Sequence, residues 1–170
     1  MTARVTHSTS IEHVDTTTAA RGWLAKLTAT TTDTAPVIAR VALGAVMFPH
    51  GAQKALGWFG GHGITGTMAF MQGMGIPSVF AALAIAAEFL GAIGLVTGTL
   101  SRVAAFGIAA VMLVATATVH IGHGFFMNWT GAQGGEGFEY HLLALALAVI
   151  VMVKGAGKWS VDRAITTRTA

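Results

Sequence analysis

Four long apolar stretches constrain this chain more than any other feature: residues 36–59, 77–98, 102–121 and 138–155. Each is close to the roughly 20 residues that a helix needs to cross a hydrocarbon layer about 30 Å thick. No water in that layer satisfies backbone amides and carbonyls, so an isolated apolar stretch crosses it as a helix. Composition agrees: 54% of the 170 residues are hydrophobic and 10% are charged, where a soluble domain carries about 25% charged residues. Mean hydropathy is +0.66. The expected fold is all-α, an integral membrane four-helix bundle whose apolar faces are hidden in lipid and in each other. TGTLS joins the second and third stretches, a link so short that these helices are antiparallel neighbours, and an up-down-up-down order follows.

Residues 1–35 are Thr-rich and polar. They contain no apolar block before a cleavage site, so no removable signal peptide is expected, and the segment is read as a largely disordered tail. Within it, AARGWLAKLTA (19–29) combines Trp23, Leu24 and Leu27 with Arg21 and Lys26, and a short helix lying on a membrane surface is the alternative to a floppy tail. Residues 36–159 form the four-helix domain, and 160–170 a C-terminal tail. Arg4, Arg21, Lys26, Arg40, Arg102, Lys154, Lys158, Arg163 and Arg168 fall on the side shared by both termini, against Lys54 on the other. Basic residues are retained in the cytoplasm, so both termini and both tails are expected to be cytoplasmic. A net charge of +3, with basic residues near span ends rather than in one dense stripe, argues against nucleic acid as a partner. Membrane lipid is the expected surrounding, and a homo-oligomer is left open.

The outer connections, 60–76 and 122–137, are rich in glycine and bordered by Trp58, Phe59, Phe125, Phe126 and Trp129, residues suited to segments that fold back onto the headgroup boundary. HGAQKALGWFGGHG (50–63) places polar groups beside apolar sequence. At a rise of about 1.5 Å per residue from Arg40, His50 lies roughly 15 Å into the layer and Lys54 roughly 21 Å; Glu88, counted back from Gly98, also lies roughly 15 Å in. His50, Gln53, Lys54 and Gly57 are spaced i, i+3, i+4, i+7 and share one helical stripe. Such a stripe suits an interior cavity better than lipid. Pro49 inside a helix predicts a kink at His50. Glu88 costs at least about 2.5 kcal/mol near mid-membrane unless it is paired or protonated, and Lys54 or His50 is the expected partner. Its role is either a helix-to-helix tether or a proton and ligand site.

A second polar cluster, His120, His123, Glu136, Glu139 and His141, sits at the outer end. A metal ion on His120, His123 and His141 is an alternative, although HExxH and any cysteine pair are absent. Bis-histidine haem would need facing histidines at one depth. Neither haem nor metal is the expected cofactor, and interfacial hydrogen bonding accounts for these histidines more simply. With no cysteine, the chain carries no disulfide, persulfide or cysteine-ligated cluster. Gly91, Gly94 and Gly98 give the second helix a small-residue ridge suited to close packing.

The ordered motifs ARVALG, HGAQKALGWFGG, EFLGAIGLVTG with Arg102, HIGHGFF, and FEYHLLALALA leading to KGAGKWSVDR resemble the DoxX family of small bacterial membrane proteins, over about residues 38–163. SVD at 160–162 departs from the usual Ser-Leu-Asp. The resemblance implies a multi-pass protein of the bacterial cytoplasmic (inner) membrane, a subunit associated with quinone-linked respiration, sulfur oxidation or oxidative and thiol stress. It also implies assembly with soluble superoxide dismutase and a sulfurtransferase. It supplies no established catalytic set.

The quinone link that the resemblance implies makes quinone the expected cofactor, with His50, Gln53, Lys54, Trp58, Glu88, His120, Phe125 and His141 as contacts. Donors on His50, Gln53 or Lys54 suit a quinone carbonyl, with Trp58, Phe59 and Phe125 flanking its ring. Glu88, Glu139 and Lys54 are the candidates for proton or charge roles. The chain has no flavin, haem or cluster motif, so electrons would come from another protein, and it is not a complete oxidoreductase by itself. Two alternatives stand beside this: a scaffold docking soluble redox enzymes through Arg102, Lys154, Lys158 and Arg163, and a small transporter or proton path, which lacks the inverted repeat that would favour it.

Overall fold

The fold is seen in a computed structural model that describes residues 16–169. Residues 1–15 of the expected tail, Arg4 among them, lie outside the described residues, as do the side chains of Arg21 and Arg168. Among the described residues all regular structure is helical. The helices are α1 (Thr16–Thr28), α2 (Ala35–Leu56), α3 (Gly63–Gly73), α4 (Ser78–Thr97), α5 (Ser101–Ala115), α6 (Glu139–Lys154) and α7 (Val161–Thr169). A π-helical turn, Thr116–His120, and a 3-10 turn, Ile121–His123, extend α5.

Three stretches, Ala35–Leu56, Ser78–Thr97 and Ser101–His123, are long and apolar enough to cross a membrane. The fourth apolar stretch yields a helix of 16 residues, about 24 Å long, which packs against α2 and α5. α2 lies against α4 and α6, and α5 against α4 and α6, closing a ring. Arg40 at the start of α2 bonds carbonyls at the end of α4 and just after α6, so directions alternate around the ring. The inward faces interlock through Leu43, Met47, Leu95, Ile108, Ala148 and Val151. Outward, Ile38, Leu83, Leu90, Phe106, Leu143 and Val153 are 59–68% exposed. So large a greasy surface belongs in lipid rather than water, and the chain is a membrane protein.

α2 starts with proline in its first turn, where the missing amide costs nothing, and runs through Pro49 as one helix. It stops at Gly57, whose φ of 72° is left-handed and open to glycine at little cost. The connection expected to be loop at 60–76 contains α3, which packs on α2 and α4.

Where they are described, both tails carry helix, the first in keeping with the short-helix alternative. Residues 16–28 are helical, and the segment after them is fixed: Thr31 N–H bonds Lys154 O at 3.2 Å, and Thr30 Oγ1 accepts from Gly157 N–H at 2.6 Å. Thr-rich sequence reads as tail because its hydroxyls have no local partner, yet here they find partners more than a hundred residues away. The C-terminal segment is likewise a helix, and its Asp162 is 1% exposed. That carboxylate accepts from the amides of Leu100 and Ser101 at 2.7 and 2.9 Å, satisfying donors that the first turn of α5 leaves unpaired.

Arg40 and Arg102, read from sequence as markers of orientation, are structural. Arg40 is 2% exposed and donates to the carbonyls of Leu95, Val96, Ala156, Lys158 and Trp159. Arg102 donates to Ala29, Met152 and Val153. Helix ends leave carbonyls without intrahelical partners, and these two guanidinium groups collect them. Together with Asp162 they clasp the end of the helix assembly where α2 begins and α4 and α6 end.

Candidate functional site

The opposite end carries the chemistry-bearing side chains. Gly51 positions them, because a Cβ built there would lie 2.6 Å from the Phe89 Cα and 2.7 Å from the Glu88 carbonyl. Only glycine lets α2 approach α4 this closely. The contact brings Lys54 Nζ within 2.5 Å of Glu88 Oε2. Glu88 is 2% exposed, so its charge is compensated by this ammonium, whose side chain keeps 28% of its surface open. His50, one turn back on α2, feels the charges of both Lys54 and Glu88. The pairing expected for Glu88 is therefore made by Lys54, with His50 beside it rather than bonded to it.

Lys54 faces outward into an open cleft of about 270 Å³ between α2 and α3. Gln53, His62 and Thr67 contribute polar groups to it, and Phe70 and Met71 form its apolar wall. Gln53 Nε2 donates to Phe59 O at 3.2 Å, and Thr67 Oγ1 to Lys54 O at 3.4 Å, which fixes the floor.

From His50 a line of rings crosses the bundle. The His50 and Tyr140 ring centres are 6.0 Å apart, Tyr140 and His141 5.4 Å, and His141 and His120 4.1 Å. The Tyr140 hydroxyl donates to Met47 Sδ at 3.2 Å, a weak acceptor. His120 reaches His141 because the π turn inserts extra backbone at the end of α5, a distortion common at functional sites. His120 Nδ1 lies 2.8 Å from Glu136 O; a carbonyl only accepts, so Nδ1 carries the hydrogen and a neutral ring leaves its lone pair on Nε2. His141 is 5% exposed and its Nδ1 is buried without a partner.

The structure thus unites part of the predicted set and separates the rest. His50, Lys54 and Glu88 meet, and His120 and His141 stack on the same chain of contacts. Gln53 turns to the cleft. Glu139 accepts from Met127 N–H at 2.9 Å, and Glu136 from Asn128 N–H at 2.6 Å, so both carboxylates hold the loop that precedes α6. Trp58 packs edge-on with Phe59, and Phe125 with Phe126 and Phe138. These are separate aromatic groups, and neither Trp58 nor Phe125 lines the cleft. The alternative metal set is not assembled: among the described residues no three His, Cys, Asp or Glu side chains come close enough to hold an ion. His123 instead lies against Gly135. Two imidazoles on a metal at about 2 Å would also hold their ring centres roughly 5 Å apart or more, beyond the stacked spacing of His120 and His141.

Tyr140, which joins the two clusters, escapes a reading of the sequence for charges. The available signal was that the only tyrosine of the chain stands between Glu139 and His141 at the head of an apolar helix.

A family model described as DoxX matches residues 35–121, half of the chain. No curated protein and no solved structure matches it.

Proposed function

The chain belongs to the DoxX family, and on that premise we propose that it is the membrane subunit of a redox complex that binds a quinone headgroup at the Lys54–Glu88 end of the bundle. In this reading α6 is a fourth crossing, both termini face the cytoplasm, and the clasped end is the inner one. The observation that carries the reading is the buried Glu88 carboxylate held by a lysine that itself opens onto the α2–α3 cleft. A structural tether would bury both partners; here one side of the ammonium is free to donate.

The residues fit the group. Lys54 and Gln53 offer donors at the cleft wall, Phe70 and Met71 offer an apolar face, and the unpartnered His141 Nδ1 shows that the interior holds unused polar capacity. A bound quinone would supply two-electron, two-proton redox chemistry, with electrons from a protein partner. The chain's own part is to bind and to orient, with the Lys54 ammonium set against the Glu88 carboxylate in a medium that disfavours isolated charge.

Lipid extraction of gently purified protein tests this. Quinone is expected near one per chain, and Glu88→Gln and His50→Ala should lose it while the helical fold persists. Wild-type protein without quinone, or both variants retaining it in full, overturns the reading. Docking of soluble superoxide dismutase or sulfurtransferase would instead fall on the exposed Lys154 and Lys158. Arg102 is already committed to three backbone carbonyls. Capture of those enzymes that survives Glu88→Gln and fails on neutralising the two lysines would favour that scaffold.

A further inference from the structure

We infer that His120, His141, Tyr140 and His50 form a proton path joining the loop end of the bundle to the buried Lys54–Glu88 pair. This goes beyond quinone binding and does not require it.

Three observations carry it. The four rings follow one another without a gap from the π turn, through α6, to α2, at centre spacings of 4.1, 5.4 and 6.0 Å. None of these ring contacts is itself a hydrogen bond, so each transfer runs over a bridging water or a side-chain rotation. Second, both histidines at the outer end have a nitrogen with unused capacity: His141 Nδ1 is buried and unpartnered, and His120 Nε2 is left with a lone pair by the Nδ1–H···O bond to Glu136. An unpaired buried polar atom is costly, a cost that packing alone does not explain. Third, the Tyr140 hydroxyl rests on a thioether, which holds it weakly enough to turn.

The step moves protons alone. A proton from the aqueous phase forms an N–H bond at His120 Nε2, and the imidazolium releases one proton to His141 Nδ1. His141 releases its Nε2 proton in turn. The Tyr140 hydroxyl accepts one proton and gives up another to His50, from which it reaches the Glu88 carboxylate; the reverse order empties it. Only N–H and O–H bonds form and break and no electrons are transferred; His141 is left as the other tautomer, which a ring flip or the reverse transfer resets. Charges crowded as closely as the two stacked imidazoles are not both protonated at once, so that pair passes single protons. The charged groups facing the line are Lys54 from α2 and Glu88 from α4, while Glu136 and Glu139 are bonded to loop amides. Lys54 stands between Glu88 and the cleft, and the ring line offers a proton a route to the carboxylate while the ammonium stays in place.

The test follows Glu88 by infrared spectroscopy after a pH jump, on the full chain in lipid nanodiscs, with the band identified by its loss in Glu88→Gln. His141→Phe and Tyr140→Phe should each slow the band at least tenfold and leave its final amplitude unchanged. Added imidazole should restore the rate in His141→Gly, which a purely structural role would not allow. Wild-type rates in both slowed variants, or a wild-type band that never responds to pH, overturns the path. Tyr140→Phe removes a single oxygen and carries the test should the His141 variants fail to fold. Absence of quinone from the protein would sink the preceding proposal and leave this measurement standing.

Discussion

At the scale of single residues, the decisive fact is that Glu88 is almost wholly buried while its partner Lys54 is not. Removing one member of such a pair leaves the other uncompensated, whereas replacing both with apolar groups is often neutral or stabilising. Lys54→Met should therefore lower the thermal midpoint, and Lys54→Met with Glu88→Leu should recover most of the loss. A double variant less stable than Lys54→Met would mean that the pair is favourable in its own right. The sequence places Glu88 and His50 at one depth by counting residues, and limits the partner to two candidates. It does not choose between them, because the choice depends on how α2 is rotated and how far a lysine stem reaches.

At the scale of elements, close approach is set on α2. Gly44 and Gly51 meet α4 at contacts shorter than real Cβ atoms tolerate; of the predicted ridge, Gly98 is as tight against Ser160 and Gly94 against the Thr99 carbonyl, while Gly91 has ordinary room around it. A glycine ridge on α4 is legible in the sequence, but which small residues face a neighbour is not. Gly51→Ala should cost about 1–3 kcal/mol by overpacking and separate Lys54 from Glu88. Thermal unfolding and the Glu88 infrared band check both effects, and unchanged values in the two measurements would show that α2 can shift freely. The π turn after α5 and the helix α3 are similarly hidden, since neither has a hydrophobic period of its own strong enough to mark it. Apolar runs long enough to cross a bilayer, by contrast, are announced by length alone.

At the scale of the whole molecule, the two ends of the bundle divide the work. One end is fastened by Arg40, Arg102 and Asp162, whose bonds reach across fifty residues of sequence or more. The other carries the buried pair, the cleft and the ring line. Asp162→Ala should remove the acceptor for two α5 amides and cost about 0.5–2 kcal/mol, the range for a lost helix cap, without touching quinone content. A stability loss together with quinone loss would mean that the ends are coupled. What the sequence by itself determined is that this chain is helical and belongs in a membrane, because the length and apolarity of a stretch are local properties that the bilayer reads directly. Which arginines are structural, which histidines stack, and that Tyr140 bridges two polar clusters were decided by tertiary structure alone. Those facts depend on the rotation of each helix about its axis, which is fixed by packing against neighbours that no single stretch contains.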